Sequence, residues 1–178
     1  MINRDGLDYK INPVLAAVAG FLHDLGKLEA GQKKLIKKPG EFTRSDFQMV
    51  KEHPILGAFA IGELGRHENG KHFPADREFY DGIWDAAMHH HVRPDRDTER
   101  SYPDCVPPSE ITPLDKLTSL ADAFDAMTTR SYRYDHNPLV VRYDIESCFT
   151  DIKHCKGTQF DPDLAELFCR LRPRPKIL

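Results

Sequence analysis

An apolar run over residues 14–22 ends in the polar pair His23-Asp24, and Gly26 and Lys27 follow at once. The run predicts a buried helix that begins at Pro13 and ends near Gly26, since proline is tolerated at a helix start and glycine marks a helix end. A buried ionised carboxylate is costly unless it is paired or bound to a metal. Asp24 therefore needs a partner from elsewhere in the chain, which constrains how the other helices pack.

Helical signals continue through the rest of the chain, and no stretch shows a convincing strand pattern. Thr43 and Asp46 predict the start of a helix that Pro54 should kink or restart and that Gly65 ends. Further helices are predicted over 76–92, 114–129, 140–156 and 163–171. Because 178 residues suffice for one domain with a core, we predict a single-domain, all-α helical bundle over 1–178.

Charge and cysteine content exclude several classes of protein. The net charge of -3 argues against a general nucleic-acid binder, and no apolar run approaches the ~18 residues of a membrane span. The four cysteines form no CxxC pair and no zinc spacing, which is typical of reduced thiols in the cytoplasm. We therefore expect a cytoplasmic protein with no membrane segment and no nucleic-acid polymer as partner.

Three consecutive histidines close the helix predicted over 76–92. At about 100° per residue, His90 and His91 fall within the apolar half of the helical wheel that contains Phe79. His89 falls on the opposite side, beside Asp85. We predict that His90 and His91 point inward and that His89 points to water.

Inward-facing histidine and aspartate side chains now come from four successive helices. Their nitrogen and oxygen donors suit iron, manganese, zinc, nickel or cobalt. Two such ions about 3.5–4 Å apart, bridged by Asp24, could hold a hydroxide that attacks a phosphodiester. Lys27 could stabilise a phosphate oxygen, or be a solvated lysine at a helix end. The candidate metal ligands are His23, Asp24, His53, His90, His91 and Asp122.

Two other segments bear on substrate binding. Residues 28–40 carry four lysines and form either a solvated loop or short helix, or a basic rim that attracts an anionic substrate. Residues 93–108 form the longest irregular stretch and are a candidate substrate loop.

The ordered series of motifs resembles the HD-GYP domain, a bacterial branch of the HD phosphohydrolases. The resemblance covers residues 14–171 and depends on the order of several motifs, which is far more specific than an HD pair alone. The matching segments are 23–27 (HD-x-GK), 38–40 with Thr43 (KPG-x-LT), His53-Pro54, His90-His91, Tyr102-Pro103 (the end of GYP), 121–126 (ADxxDA), 130–133 (RxYR) and Gly157 with 160–162 (G-x-x-FDP).

The resemblance implies an HD-type helical bundle that hydrolyses cyclic di-GMP, a bacterial signalling messenger, to a linear dinucleotide or to GMP. It implies two or three divalent transition-metal ions, iron or manganese first, on the six candidate ligands named above. It makes Asp24 and Lys27 catalytic, and it assigns substrate contacts to Lys27, Tyr102, Arg130 and Arg133, the two arginines being open to a packing role instead. A homodimer, or a fused or associated sensory domain, is a further expectation.

The chain departs from the family pattern in three places. Ser101 replaces the glycine of GYP, in a longer loop, and Val92 replaces a glutamate after the paired histidines. The segment after Ala126 is one residue short. The family carries another ligand helix upstream of its HD pair, but the 22 residues before His23 contain no histidine. We therefore expect either a fragment or a missing ligand. Two alternatives follow: a phosphohydrolase for another nucleotide or cyclic dinucleotide, and a non-catalytic signalling or binding domain.

Overall fold

A computed structural model describes residues 10–38, 43–65, 77–97, 99–104, 106–129 and 144–171. These ranges hold eight α-helices, two short 3₁₀ turns (Leu25–Leu28 and Pro108–Glu110) and no strand, so the all-α prediction is confirmed. Within them, no helix combines the length and apolar character needed to cross a membrane. The helices are α1 (Pro13–Leu22), α2 (Ala30–Ile36), α3 (Arg44–Val50), α4 (His53–Leu64), α5 (Arg77–His89), α6 (Pro113–Thr129), α7 (Ile145–His154) and α8 (Pro162–Arg170).

Local sequence signals account for the helix boundaries. Asn12 caps α1 through hydrogen bonds from the amides of Val14 and Leu15 at 2.9 and 3.3 Å. Thr43 and Asp46 form a reciprocal capping box at the start of α3. Pro54 lies in the first turn of α4 and separates it from α3, so the predicted restart is confirmed.

Helix α6 lies between two groups of helices and contributes to the core of both. On one side, Leu114 packs with Ala19 of α1 and Ala86 of α5, next to a cluster formed by α4 and α5. On the other side, Leu120 and Met127 pack against α7 and α8. A polar side chain on α6 can therefore reach the ends of α1 and α5.

Gly26 lets the first 3₁₀ turn lie directly on the start of α4. A Cβ atom built at this position would lie 2.0 Å from the carbonyl oxygen of His53 and 2.6 Å from the amide nitrogen of Gly57. Only glycine fits this backbone contact without displacing one of the two segments. The contact holds the His23-Asp24 pair beside His53.

Candidate metal centre

The candidate ligands lie at the ends of helices, apart from one in the middle of α6. His23 follows the last residue of α1, His53 is the first residue of α4, and His90 follows the last residue of α5. Asp24 directly follows His23 in the chain, and His91 directly follows His90. The structure brings these groups together with Asp122 of α6, and two triplets have ligand atoms within 4.8 Å of one another: His53, His90 and His91, and His23, Asp24 and His90.

Three of the histidines are held in the same tautomer by the backbone. The Nδ1 atom of His23 lies 2.7 Å from the carbonyl oxygen of Gly20, and that of His53 lies 2.7 Å from Val50. His90 Nδ1 lies 2.9 Å from the carbonyl oxygen of Ala87. A carbonyl oxygen can only accept, so each Nδ1 carries a proton and donates it, and each neutral ring presents a bare Nε2.

The Nε2 lone pairs of His53 and His90 point towards each other and towards Asp24, and no hydrogen-bond donor of the described residues lies between them. His53 Nε2 lies 3.3 Å from His90 Nε2 and 3.2 Å from Asp24 Oδ1. His90 Nε2 lies 3.7 Å from the same oxygen. Lone pairs that face one another this closely repel unless a proton or a cation lies between them. The donor set of imidazole nitrogens and a carboxylate therefore fits a transition-metal ion.

His91 adds a further unsatisfied nitrogen. Its Nε2 atom is buried and has no hydrogen-bond partner among the described residues. Its ring stacks on Tyr102, with centroids 4.5 Å apart and planes at 27°, and meets His53 edge-on at 5.1 Å. A buried nitrogen without a partner is costly, so a metal ligand role explains His91 better than packing does. Tyr102, a predicted substrate residue, lies against this ring.

Two carboxylates and one lysine surround the histidines. Asp24 Oδ2 accepts a hydrogen bond from Lys27 Nζ at 2.5 Å and lies 3.5 Å from His23 Nε2. Asp122 Oδ1 lies 3.4 Å from the same nitrogen, across 99 residues of chain. The predicted catalytic pair, Asp24 and Lys27, is therefore in direct contact. Arg130 and Arg133 lie outside the described residues, as do residues 39–42.

The pKa shifts follow from this arrangement. Burial alone would raise the pKa of Asp24, but its contacts with Lys27 and His23 hold it far below its usual range. Burial alone would also raise the pKa of Asp122, but its contact with His23 lowers that pKa below its usual value. For His23, contacts with Asp122 and Asp24 outweigh burial and raise the pKa. Both carboxylates stay ionised and available to a cation at neutral pH.

The paired histidines shift in the other direction. Burial, with repulsion from His23 and His53, lowers the pKa of His90 to about 3. Burial and the neighbouring His90 hold the pKa of His91 well below 6.5. Both rings are therefore neutral at physiological pH, as a metal ligand must be.

Metal-free protein should lose stability as pH falls below 6.5. In the folded state, His90 and His91 bind protons only at lower pH than in the unfolded chain. Their contribution to the free energy of unfolding is therefore complete above pH 6.5. It declines as pH falls towards the pKa of the folded state, which is about 3 for His90. For His23 the sign is opposite: its contribution is complete below pH 6.5 and is lost as pH rises through its raised pKa.

Urea unfolding of the metal-free protein at pH 7, 6 and 5 should show the free energy of unfolding falling by about 1 kcal/mol or more per pH unit below 6.5. His90→Gln should flatten this slope, whereas the same change at exposed His154 should keep it. A free energy that is constant from pH 7 to 5 would contradict the prediction.

The prediction that His89 points to water was wrong. His89 is 5% exposed, and its Nδ1 lies 3.2 Å from Oδ2 of Asp115. The helical wheel placed His89 on the correct side of α5, but the start of α6 covers that side, so His89 is buried. Sequence reasoning missed Asp115, although Thr112 followed three residues later by an aspartate is the signal of a helix start.

The sequence is similar to a known family and to several bacterial proteins. A family model for the HD domain matches residues 2–127. The chain is 31% identical to a cyclic di-GMP phosphodiesterase of Thermotoga maritima over 153 residues, 86% of this chain and 36% of that protein. It is 31% identical to one of Pseudomonas aeruginosa over 123 residues (68% and 26%) and 30% identical to one of Vibrio cholerae over 148 residues (83% and 27%). The matched part thus spans about a quarter to a third of each relative.

Proposed function

Because the chain belongs to the HD domain family, we propose that it is a metal-dependent phosphodiesterase that hydrolyses cyclic di-GMP to a linear dinucleotide or to GMP. The observation that carries the proposal is the convergence of His53 Nε2, His90 Nε2 and Asp24 Oδ1 without an intervening proton donor. Cyclic di-GMP is proposed as the substrate because three similar proteins are named cyclic di-GMP phosphodiesterases.

In this proposal, two or three divalent ions, iron or manganese first, are held by the six candidate ligands. Bound ions of this kind supply the Lewis acidity that polarises a phosphodiester and activates water. The backbone carbonyls that fix the histidine tautomers keep each Nε2 aimed at the centre before any ion arrives. The donor set is therefore preorganised by the ends of α1, α4 and α5.

Lys27 and Asp24 act as a pair on the substrate side of the centre. The ammonium of Lys27 is 2.5 Å from Asp24 and largely buried, so a phosphate oxygen that displaces this contact gains a charge-assisted hydrogen bond. Tyr102, Arg130 and Arg133 complete the proposed substrate contacts. We also propose a cytoplasmic, single-domain module that works as a homodimer or beside a fused or associated sensory domain.

The test is turnover by metal-loaded protein. Protein purified without oxygen and loaded with Fe²⁺ or Mn²⁺ should convert cyclic di-GMP to a linear product, resolved by chromatography. Other cyclic dinucleotides and bis(p-nitrophenyl) phosphate, a phosphodiester without bases, should be run in parallel. Cleavage of bis(p-nitrophenyl) phosphate alone would support phosphodiesterase activity but rule out cyclic di-GMP as the substrate. Protein that binds metal and cleaves none of these compounds would rule out the phosphodiesterase activity.

Lys27→Gln should lower kcat/KM for cyclic di-GMP by about 100-fold, the size of effect seen when a donor to developing negative charge is removed. Metal content should change little, because glutamine replaces a cation that touches the site only through Asp24. Lys153→Gln, an exposed lysine on α7, is the matched control and should behave as wild type. Equal activity in both variants would remove Lys27 from the mechanism.

A further inference from the structure

We infer that the buried pair His89 and Asp115 is a positioning device, which fixes the two candidate ligands at the end of α5 relative to Asp122 of α6. The inference rests on the proposed function, because it concerns the same metal centre. It assigns a role to two residues that belong to none of the motifs of the resemblance. Neither residue is itself a candidate ligand.

The end of α5 requires an external anchor. His89 is the last residue of the helix, and His90 and His91 follow it in a turn. Helix ends fray because their last carbonyls lack partners within the helix. The backbone bonds of this turn run from the amide of His90 to the carbonyl oxygen of Ala86 (3.2 Å), from that of Val92 to His89 (2.8 Å) and from that of Tyr102 to His91 (3.3 Å), and none of them reaches α6. The side chain of His89 supplies a fixed point one residue before the ligand pair.

Asp115 is held in place independently of that contact. Its Oδ2 accepts a hydrogen bond from the amide of Thr112 at 2.8 Å, and its own amide lies 3.2 Å from Thr112 Oγ1. These reciprocal bonds cap α6 and fix the carboxylate at the start of the helix. Because that oxygen is an acceptor, Nδ1 of His89 donates to it.

A rigid helix carries this anchor to the metal centre. Asp122 follows Asp115 by seven residues, which is two turns of α6 on the same face and roughly 10 Å along the axis. The His89–Asp115 bond therefore sets where the end of α5 lies along the face of α6 that presents Asp122. On its other side, His89 meets the edge of Trp84, with ring centroids 6.0 Å apart.

The chemistry of the pair argues for positioning rather than for stability. Both side chains are almost fully buried, at 5% and 1% exposure. Asp115 Oδ1 has no hydrogen-bond partner among the described residues. A buried polar pair with an unsatisfied oxygen is commonly no more stable than an apolar pair of the same volume. A hydrogen bond, however, fixes direction and distance, which apolar packing does not.

Metal titration of two variants separates positioning from packing. His89→Ala removes the ring and the donor, whereas His89→Asn removes the ring but places an amide donor near the position of Nδ1. We expect His89→Ala to weaken Co²⁺ and Mn²⁺ affinity by about 10-fold or more and to alter the visible absorption of the Co²⁺ protein. His89→Asn should bind within about threefold of wild type, as outer-shell partners act through the bond they make. Both variants lose the same buried ring, so both should melt at a lower temperature.

The control for lost stability alone is Asp144→Ala, which removes the N-cap hydrogen bond of α7, where Asp144 accepts from the amide of Ser147 at 2.8 Å. It should lower the melting temperature and leave metal affinity unchanged. Equal affinity and identical Co²⁺ spectra in His89→Ala and wild type would overturn the inference while leaving the proposed centre intact. Equally weak binding by the Ala and Asn variants would also overturn it, because loss of packing would then explain the effect. Wild type that binds neither metal would overturn the centre itself, and the inference with it.

Discussion

Gly26→Ala is expected to destabilise the protein by about 3 kcal/mol and to remove most of its metal binding. The new Cβ atom would lie 2.0 Å from the carbonyl oxygen of His53, which is backbone and cannot rotate away. Overpacking of this kind costs typically 1–3 kcal/mol, and here the group that must move carries a candidate ligand. The first 3₁₀ turn and α4 must separate, so Asp24 and His53 move apart.

Gly20→Ala is the matched control, because a Cβ atom at that position of α1 meets nothing within 4 Å. Alanine is the better helix former, so this variant should be more stable by about 0.5–1 kcal/mol and should bind metal as wild type does. Urea unfolding and elemental analysis measure both effects. Wild-type metal content in Gly26→Ala would show that the contact between the 3₁₀ turn and α4 does not set the ligand geometry.

Asp24→Asn should reduce kcat/KM at least about 100-fold, beyond the range for outer-shell partners, and reduce the number of ions bound per chain. Asp24 has one oxygen near His53 and His90 and the other near His23 and Lys27, so its single charge lies beside three of the four candidate histidine ligands and the lysine. Asparagine keeps the shape but loses the charge. It also places an amide donor or acceptor where lone pairs already converge.

The control for this change is Asp163→Asn, an exposed aspartate on α8, which should keep wild-type activity and metal content. Metal content should be measured per folded chain, with circular dichroism to establish that the helices are retained. Full occupancy together with lost turnover would limit Asp24 to a role in catalysis. Full occupancy with full turnover would remove it from the site.

Helix starts could be predicted from sequence because they depend on neighbouring residues, whereas the end of α1, predicted near Gly26, lies at Leu22, before the 3₁₀ turn that contains Gly26. Asn12, Thr43 and Pro54 fix local backbone geometry, and the helices begin where these residues place them. The inward direction of His90 followed from the apolar stripe of α5 for the same reason. The all-α class then followed from the absence of any strand pattern.

The features that failed prediction depend on which helices become neighbours. The wheel placed His89 beside Asp85 and away from the apolar face of α5, which is correct, but a wheel does not show that another helix covers that side. The contact of Tyr102 with His91 likewise requires the loop after α5 to fold back. Neither contact has a local signal, because each partner is distant in sequence or held by an irregular segment.

The contact between His23 and Asp122 joins residues 99 positions apart. Such a long loop carries a large closure entropy that must be overcome before the contact forms, and contacts of this kind slow folding. During synthesis, the first five candidate ligands emerge well before α6 does. A growing chain therefore holds most of the donors for some time without the helix that aligns them, and the candidate ligand set is complete only after α6 has been made.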